Sequence, residues 1–283
     1  DGVSSIEDKR LAIGVEQGLG DEIVFASCYL DAAASARSLT VSCDPRLESA
    51  WRRLLPSAEV IPVTKDERRA PKISLPEGSA FPDCQIPAGT LPSIFRPSLD
   101  SFSKPHPVLT PDECLREKWK GRLDELPSGL RVGVSWRSSK MTLKRSWSYI
   151  LPEDFVSLLR VPGITFINLQ YDADEDDLRH MEELSGVTLH NWEDLDQYND
   201  LEQVMALIAN LDLVVSVNNA NSRIASGLGK EVWLMERGSV WNMGLSYSPF
   251  FLNTNVWLFS QYDSRRGVVE SVAEELERRV VGQ

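Results

Sequence analysis

The sequence predicts an α/β protein of two Rossmann-like domains, each a parallel sheet with helices on both faces. Three observations carry this. Short apolar runs alternate with helix-like segments along most of the chain. Residues 68–111, crowded with proline, glycine and serine, interrupt that alternation. It then resumes after a Pro127–Gly129 break, so two such units, with a cleft between them, are expected.

In chain order, LAIGV reads as a strand and residues 21–36 as a helix. LTVSC is the next strand, followed by a helix, PRLESAWRRLL, with Pro45 in its first turn. VIPV is a third strand, and one more is expected at Cys84 to Ile86 inside the proline-rich stretch. A helix over 111–126 leads to the break. Beyond it, RVGVSW, ITFINLQ, VTLHN, LDLVVSV and EVWLM read as strands. Helices are expected near 152–160, 174–184, 201–209 and 220–228. NDLEQV carries a capping signal, Asn199 with Glu202 or Asp200 with Gln203. A last strand, VWLFS, precedes a terminal helix over 263–281.

The bulk numbers narrow the function. At 283 residues, 42% hydrophobic and 25% charged, the chain is ordinary globular material with enough length for two cores. A net charge of −12 argues against a general nucleic-acid surface or an anionic membrane as partner. The 4 cysteines (Cys28, Cys43, Cys84, Cys114) lack the spacing of a zinc or thioredoxin motif and read as reduced, mostly buried thiols. No apolar run is long enough to cross a bilayer and no signal peptide is visible, so a cytoplasmic location is expected. The first residue is Asp1 rather than Met, which points to removed sequence upstream.

Ligands of open parallel sheets bind at the carboxyl ends of the strands. After the first strand comes Glu16-Gln17-Gly18-Leu19-Gly20-Asp21-Glu22. This is neither a dinucleotide fingerprint nor a P-loop. Its glycines allow a tight turn and close backbone approach. On these residues Asp21 reads first as a helix cap or a complement to the helix dipole, with a general base as the alternative. After RVGVSW, the residues Arg137, Lys140, Lys144 and Arg145 form a cationic stretch with Ser138, Ser139 and Thr142. It can bind a diphosphate, or pair with surface acids. After LDLVVSV, Asn218, Asn219, Ala220, Asn221, Ser222 and Arg223 open a helix whose amino end is an anion site. Gln170 and Tyr171, at the end of ITFINLQ, can face a base or ribose. Asp172-Ala173-Asp174 matches a short metal-dependent transferase pattern, but it reads first as the acids a helix start favours. The 3 histidines have no metal-ligand spacing, so no metal site is expected. Trp233 and Trp257 read as core, while Trp147 and Trp241 lie in loops.

EQGLGDEIVFA, VGVSWRS, FINLQYD and LDLVVSVNNANSRIASGLGKEVWLM, in that order, resemble the GT-B glycosyltransferases of the heptosyltransferase type. They resemble above all the bacterial domains found behind tetratricopeptide repeats, which are distantly related to O-linked N-acetylglucosamine transferases; some act on flagellin. The resemblance implies an acceptor-side domain over 1–127, a nucleotide-sugar domain over 128–262, and a helix over 263–283 that crosses back to the first domain. It implies inverting, metal-independent transfer from a nucleotide sugar to an acceptor hydroxyl of a protein or a bacterial surface glycan, with no cofactor. Gly20-Asp21 matches the pair that supplies the family's base, which assigns Asp21 that role. Lys144 and Trp147 match its donor-phosphate pattern. Where the family usually reads Asp-Thr-(Gly/Ala)-x-x-His, this chain has Asn218, Asn219, Ala220 and Arg223. That departure motivates a second reading, a non-catalytic domain that binds a nucleotide sugar or a protein partner. A nucleotide-sugar epimerase is the third.

Overall fold

The computed structural model describes residues 5–64, 81–102, 106–138, 148–238, 241–260 and 263–282. Lys140, Lys144, Arg145 and Trp147, together with Ser139 and Thr142, lie outside the described residues. The chain divides into two units, Asp1–Thr110 and Pro111–Gln283.

In the first unit, strands β1 (Arg10–Gly14), β2 (Ser38–Cys43), β3 (Glu59–Pro62) and β4 (Cys84–Pro87) form a sheet of order β3-β2-β1-β4. All its pairings are parallel. The chain runs outward from β1 through β2 to β3, then returns to the other side of β1, so the order reverses between β1 and β4. The expected first helix is two, α1 (Leu19–Phe25) and α2 (Tyr29–Ser35), joined by a single 3-10 turn. Helices α3 (Glu48–Leu54) and α4 (Leu91–Phe95) follow. Leu11, Ile13, Val41, Trp51 and Ile23 are buried between sheet and helices.

The second unit holds β5 (Leu130–Ser135), β6 (Ile164–Asn168), β7 (Leu213–Val217), β8 (Val232–Glu236) and β9 (Thr254–Leu258), in the order β6-β5-β7-β8-β9. These pairings are also all parallel. Here the order reverses between β5 and β7. Every residue of β7 and β8 is buried, which explains why all but Ser216 and Glu236 are apolar. Helices α5 (Glu113–Asp124), α6 (Pro152–Leu159), α7 (Glu175–Ser185), α8 (Leu201–Ala209), α9 (Ala220–Gly227) and α10 (Arg265–Val281) surround the sheet. Asp200, not Asn199, caps α8, accepting from Gln203 N. VTLHN is not a strand: it contributes one bridge, His190 to Ile167, beside β6.

Helix α5 lies in the second unit. The buried face of α5, Trp119 and Leu123, belongs to the second unit, where Trp119 Nε1 donates to Gln203 Oε1 at 2.7 Å. Asn210 Nδ2 also donates to Arg116 O at 2.8 Å. Helix α10 sets Val268, Val269, Val272 and Leu276 into the core of this second unit.

The thiols are free, and only half of them fit the expectation of burial: Cys28 and Cys43 are buried, Cys84 is half-buried and Cys114 exposed. Burial pushes the Cys28 thiol up to about 11. No helix among the described residues is long and apolar enough to cross a membrane.

Candidate functional site

Each sheet has one place where its strand order reverses, and such crevices at the carboxyl ends hold ligands in open α/β sheets. The candidate residues gather at these two places.

At the first, β1 ends and the chain turns through Val15 to Gly18 into α1. The left-handed residue of this turn is Gln17, at φ 62°, and not one of the glycines. Gln17 is exposed, and holding a non-glycine there is strain concentrated at a strand end. Gly18 has a different reason. It is the α1 N-cap, and its N–H donates to Asp21 Oδ2 at 3.1 Å. A Cβ at Gly18 would sit 3.3 Å from that same oxygen, so glycine lets the carboxylate fold back. Asp21 is therefore the third residue of the helix, half-buried, with one oxygen engaged in capping. Gly20 lies within the helix. Glu16 reaches across the reversal point, where its Oε1 accepts from Gly89 N at 2.9 Å just beyond β4. A Cβ at Gly89 would collide with that carboxylate oxygen and the Phe25 ring.

Glu22, next to Asp21, is fully buried. It accepts from Trp51 Nε1 at 2.7 Å and from Asp44 N at 3.1 Å, tying α1 to the end of β2 and to α3. The sequence signal was available: Glu22 falls among Leu19, Ile23 and Val24, on the apolar face of its helix.

The second reversal point is built from amides and hydroxyls. Three asparagines at the start of α9 each reach a different strand end. Asn219, the N-cap, accepts from Ser222 N at 3.0 Å through Oδ1. Its Nδ2 donates to Ser135 Oγ at 2.9 Å and Arg137 O at 3.2 Å, at the end of β5. Asn221 Nδ2 donates to Leu169 O, beyond β6. Asn218 Nδ2 donates to Glu236 Oε1, at the end of β8. Ser135 Oγ lies 2.7 Å from Ser216 Oγ, joining β5 to β7 below them. The amino end of α9 is thus laid over the carboxyl edge of the sheet. Arg223 is buried in its first turn, 4% exposed, and Ala220 begins the helix.

Gln170 does not face outward. It is 1% exposed, and its Oε1 accepts from Trp136 N at 3.0 Å and Arg137 N at 2.9 Å, holding the loop after β5. Arg137 pairs with Asp172 and, at 2.7 Å, with Asp177. Burial opposes its charge, but the Asp177 and Asp172 carboxylates hold its pKa above the ordinary value. The pairing of this cation with nearby acids, one of two readings of the sequence, is what the structure has. The Asp-x-Asp acids are likewise accounted for: Asp172 pairs with Arg137, and Asp174 caps α7 by accepting from Asp177 N at 2.8 Å. The Tyr171 ring lies tilted at 42° to the exposed Tyr198 ring, centroids 6.0 Å apart. Ser138 Oγ sits 2.9 Å from Tyr149 OH. Among the described residues no group of three or more His, Cys, Asp or Glu could hold a metal ion.

With this geometry in view, the chain can be set beside known proteins. No family model matches it. Over 267 residues it is 31% identical to protein FlbA of Caulobacter vibrioides, covering 91% of this chain and 44% of FlbA. The chain therefore spans less than half the length of that relative. A glycosyl transferase family 9 structure from Veillonella parvula matches with a TM-score of 0.61 at 12% identity, covering 99% of this chain and 98% of that one. The E. coli ADP-heptose lipopolysaccharide heptosyltransferase II matches with a TM-score of 0.60 at 13% identity, over 96% and 99%. E. coli heptosyltransferase WaaC, solved with ADP-2-deoxy-2-fluoro heptose, matches with a TM-score of 0.53 at 13% identity, over 94% and 99%. The two parallel sheets and their helices have the GT-B glycosyltransferase fold.

Proposed function

We propose that this chain is a glycosyltransferase that moves a sugar from a nucleotide-sugar donor to an acceptor hydroxyl, with inversion and without a metal. The observation that carries the reading is the amino end of α9, anchored by Asn218, Asn219 and Asn221 to three strand ends at the reversal point of the second sheet. A helix amino end presents N–H groups and a partial positive charge, which suit a diphosphate. The GT-B fold supports the same assignment.

The second unit takes the donor. The N–H groups of Ala220 and Asn221 at the start of α9, with Arg223, carry the charge that develops on the leaving diphosphate, with Lys140, Lys144 and Arg145 contributing from the segment between β5 and α6. Arg137 shapes that loop, its own charge compensated by Asp172 and Asp177. Tyr171, with Tyr198, offers a ring face to the nucleotide base.

The first unit supplies the base. Asp21 keeps Oδ1 without a hydrogen-bond partner among the described residues, while Oδ2 stays on Gly18 N–H. Asp21 takes the proton of the acceptor hydroxyl; the oxygen bonds to the anomeric carbon from the face opposite the diphosphate, and the carbon–oxygen bond to phosphate breaks. The acceptor is a protein serine or threonine, or a bacterial surface glycan. Upstream tetratricopeptide repeats would present a protein acceptor.

A second reading also has an observation behind it. Asn219 spends both ends of its amide within the protein, and Asp21 spends one oxygen on its own helix. A non-catalytic domain that only binds a nucleotide sugar needs nothing more. Release of nucleoside diphosphate from a nucleotide sugar, dependent on added acceptor, separates the two. Transfer supports the enzyme; donor binding with neither transfer nor hydrolysis supports the binding domain. Conversion of donor without acceptor would instead mark an epimerase.

A further inference from the structure

The last residue of β8 is an acid, Glu236, at the end of the apolar run Val-Trp-Leu-Met. It is 4% exposed. Its Oε1 accepts from Asn218 Nδ2, while its Oε2 is buried and has no hydrogen-bond partner among the described residues. A carboxylate oxygen can only accept, and one buried without a donor destabilises the fold. The scaffold uses one of its oxygens, to hold Asn218, and not the other. Most strands here end on neutral residues, and an apolar side chain would continue the core.

Its position says what the acid is for. Val217 of β7 pairs with Met235 of β8, so Glu236 is level with Asn218, one residue before the α9 cap. The unpartnered oxygen is therefore at the carboxyl edge, beside the asparagine-anchored amino end, and not at the opposite end of the sheet. A diphosphate would be repelled by it. A neutral hydroxyl would be drawn to it, and a charge-assisted hydrogen bond to a hydroxyl is among the stronger ones available.

We infer that Glu236 is a specificity-determining residue that accepts a hydrogen bond from a sugar hydroxyl of the bound nucleotide sugar. The inference rests on the donor site proposed above. The edge is then divided: the α9 amides take phosphate, and Glu236 takes a hydroxyl beside it. The hydroxyl belongs either to the ribose or to the transferred sugar, and the two are separable.

The test compares wild type with Glu236→Gln and Glu236→Met by calorimetry. The probes are UDP, GDP and ADP, and UDP-N-acetylglucosamine, GDP-mannose and ADP-glucose. Glu236→Gln keeps the acceptor for Asn218 and replaces only the free oxygen. It should weaken the nucleotide sugar that wild type binds by about 10- to 100-fold. The ligand-free Tm should stay level or rise in Glu236→Gln, which removes a buried carboxylate charge and keeps the bond to Asn218; Glu236→Met also deletes the acceptor of Asn218 and should lose a little. Loss for the nucleotide sugar alone assigns the hydroxyl to the transferred sugar; equal loss for the nucleoside diphosphate assigns it to ribose. Unchanged affinity in both variants overturns the inference, as does a fall of ligand-free Tm in Glu236→Gln, which would mark a scaffold group. Wild type that binds none of the six overturns the donor site itself, and the inference with it.

Discussion

The two sheets reverse their strand order in the same way and dress the resulting edge in opposite chemistry. At the first, the groups beside the reversal point are carboxylates, Glu16 and Asp21, each anchored by a backbone N–H, of Gly89 and Gly18 respectively. At the second they are chiefly amides and hydroxyls, Asn219, Asn221, Ser135 and Ser216, that bond to one another and to strand-end carbonyls, with one carboxylate, Glu236, held on Asn218. A carboxylate held by one oxygen can take a proton with the other. A helix amino end set among neutral amides and hydroxyls can receive an anion on the side away from Glu236. One topology thus furnishes a basic edge and an anion-accepting edge, and the difference lies in side chains alone.

The largest effect should come from removing the basic edge while leaving its shape. Asp21→Asn keeps an oxygen for Gly18 N–H but cannot take a proton. Turnover should fall by about 10²- to 10⁴-fold, with donor affinity unchanged, in steady-state kinetics paired with calorimetry. Near wild-type transfer would remove Asp21 from the mechanism. Next is the anion-accepting edge. Asn219→Leu deletes the α9 cap and the bonds to Ser135 Oγ and Arg137 O. Urea denaturation should show a loss of about 2–4 kcal/mol, from cap and buried partners together. Donor binding should fall with it, and acceptor-side function in the first unit should not be the cause.

Gly89→Ala tests whether the Glu16 bridge is as close-fitting as it looks. The new methyl meets Glu16 Oε1 and Phe25, and should cost about 1–3 kcal/mol, a typical overpacking penalty. An unchanged urea midpoint would mean that Glu16 moves freely aside. The smallest effects concern pH, and they again separate the units. Burial lowers the pKa of His190, beside β6, against the pull of Glu182. Its folded pKa lies below its unfolded one, so the stability it contributes is present above about pH 6.5 and lost as pH falls. In the first unit, hydrogen bonds from Arg10 lower Asp83 to about 2. Its contribution is present above the ordinary aspartate pKa and lost only as pH falls toward 2. Mild acid should therefore weaken the second unit first, and His190→Gln should flatten the stability profile between about pH 7 and 5.5. An unchanged slope would assign that sensitivity to another group.

Much of this was legible in the sequence. The parallel sheets follow from apolar runs of strand length alternating with helical patterns, and both reversal points fall at glycine- or asparagine-rich strand ends that stand out on reading. Three things were not legible. Gln17, not a glycine, takes the left-handed position, because Gly18 is needed where Asp21 folds back. VTLHN has the composition of a strand but makes only one bridge, since strand pairing depends on a neighbour that sequence does not show. Glu236 is hidden in the sequence because a single acid ending an apolar run looks like the first residue of a loop. The cation in the loop after β5 was ambiguous for a different reason. Arg137 finds its carboxylates 35 and 40 residues further on, and only the fold brings Asp172 and Asp177 alongside.

The most direct test of the account is whether the second edge binds a nucleotide sugar without a metal. Thermal shift should be recorded for a panel of nucleoside diphosphates and their sugars, with and without EDTA. The account predicts that one nucleotide family raises Tm, the stabilisation reaching about 2.7 kcal/mol when ligand is at one hundred times its Kd, equally with EDTA present. A shift abolished by EDTA would contradict metal independence, and no shift from any of them would contradict the donor site itself.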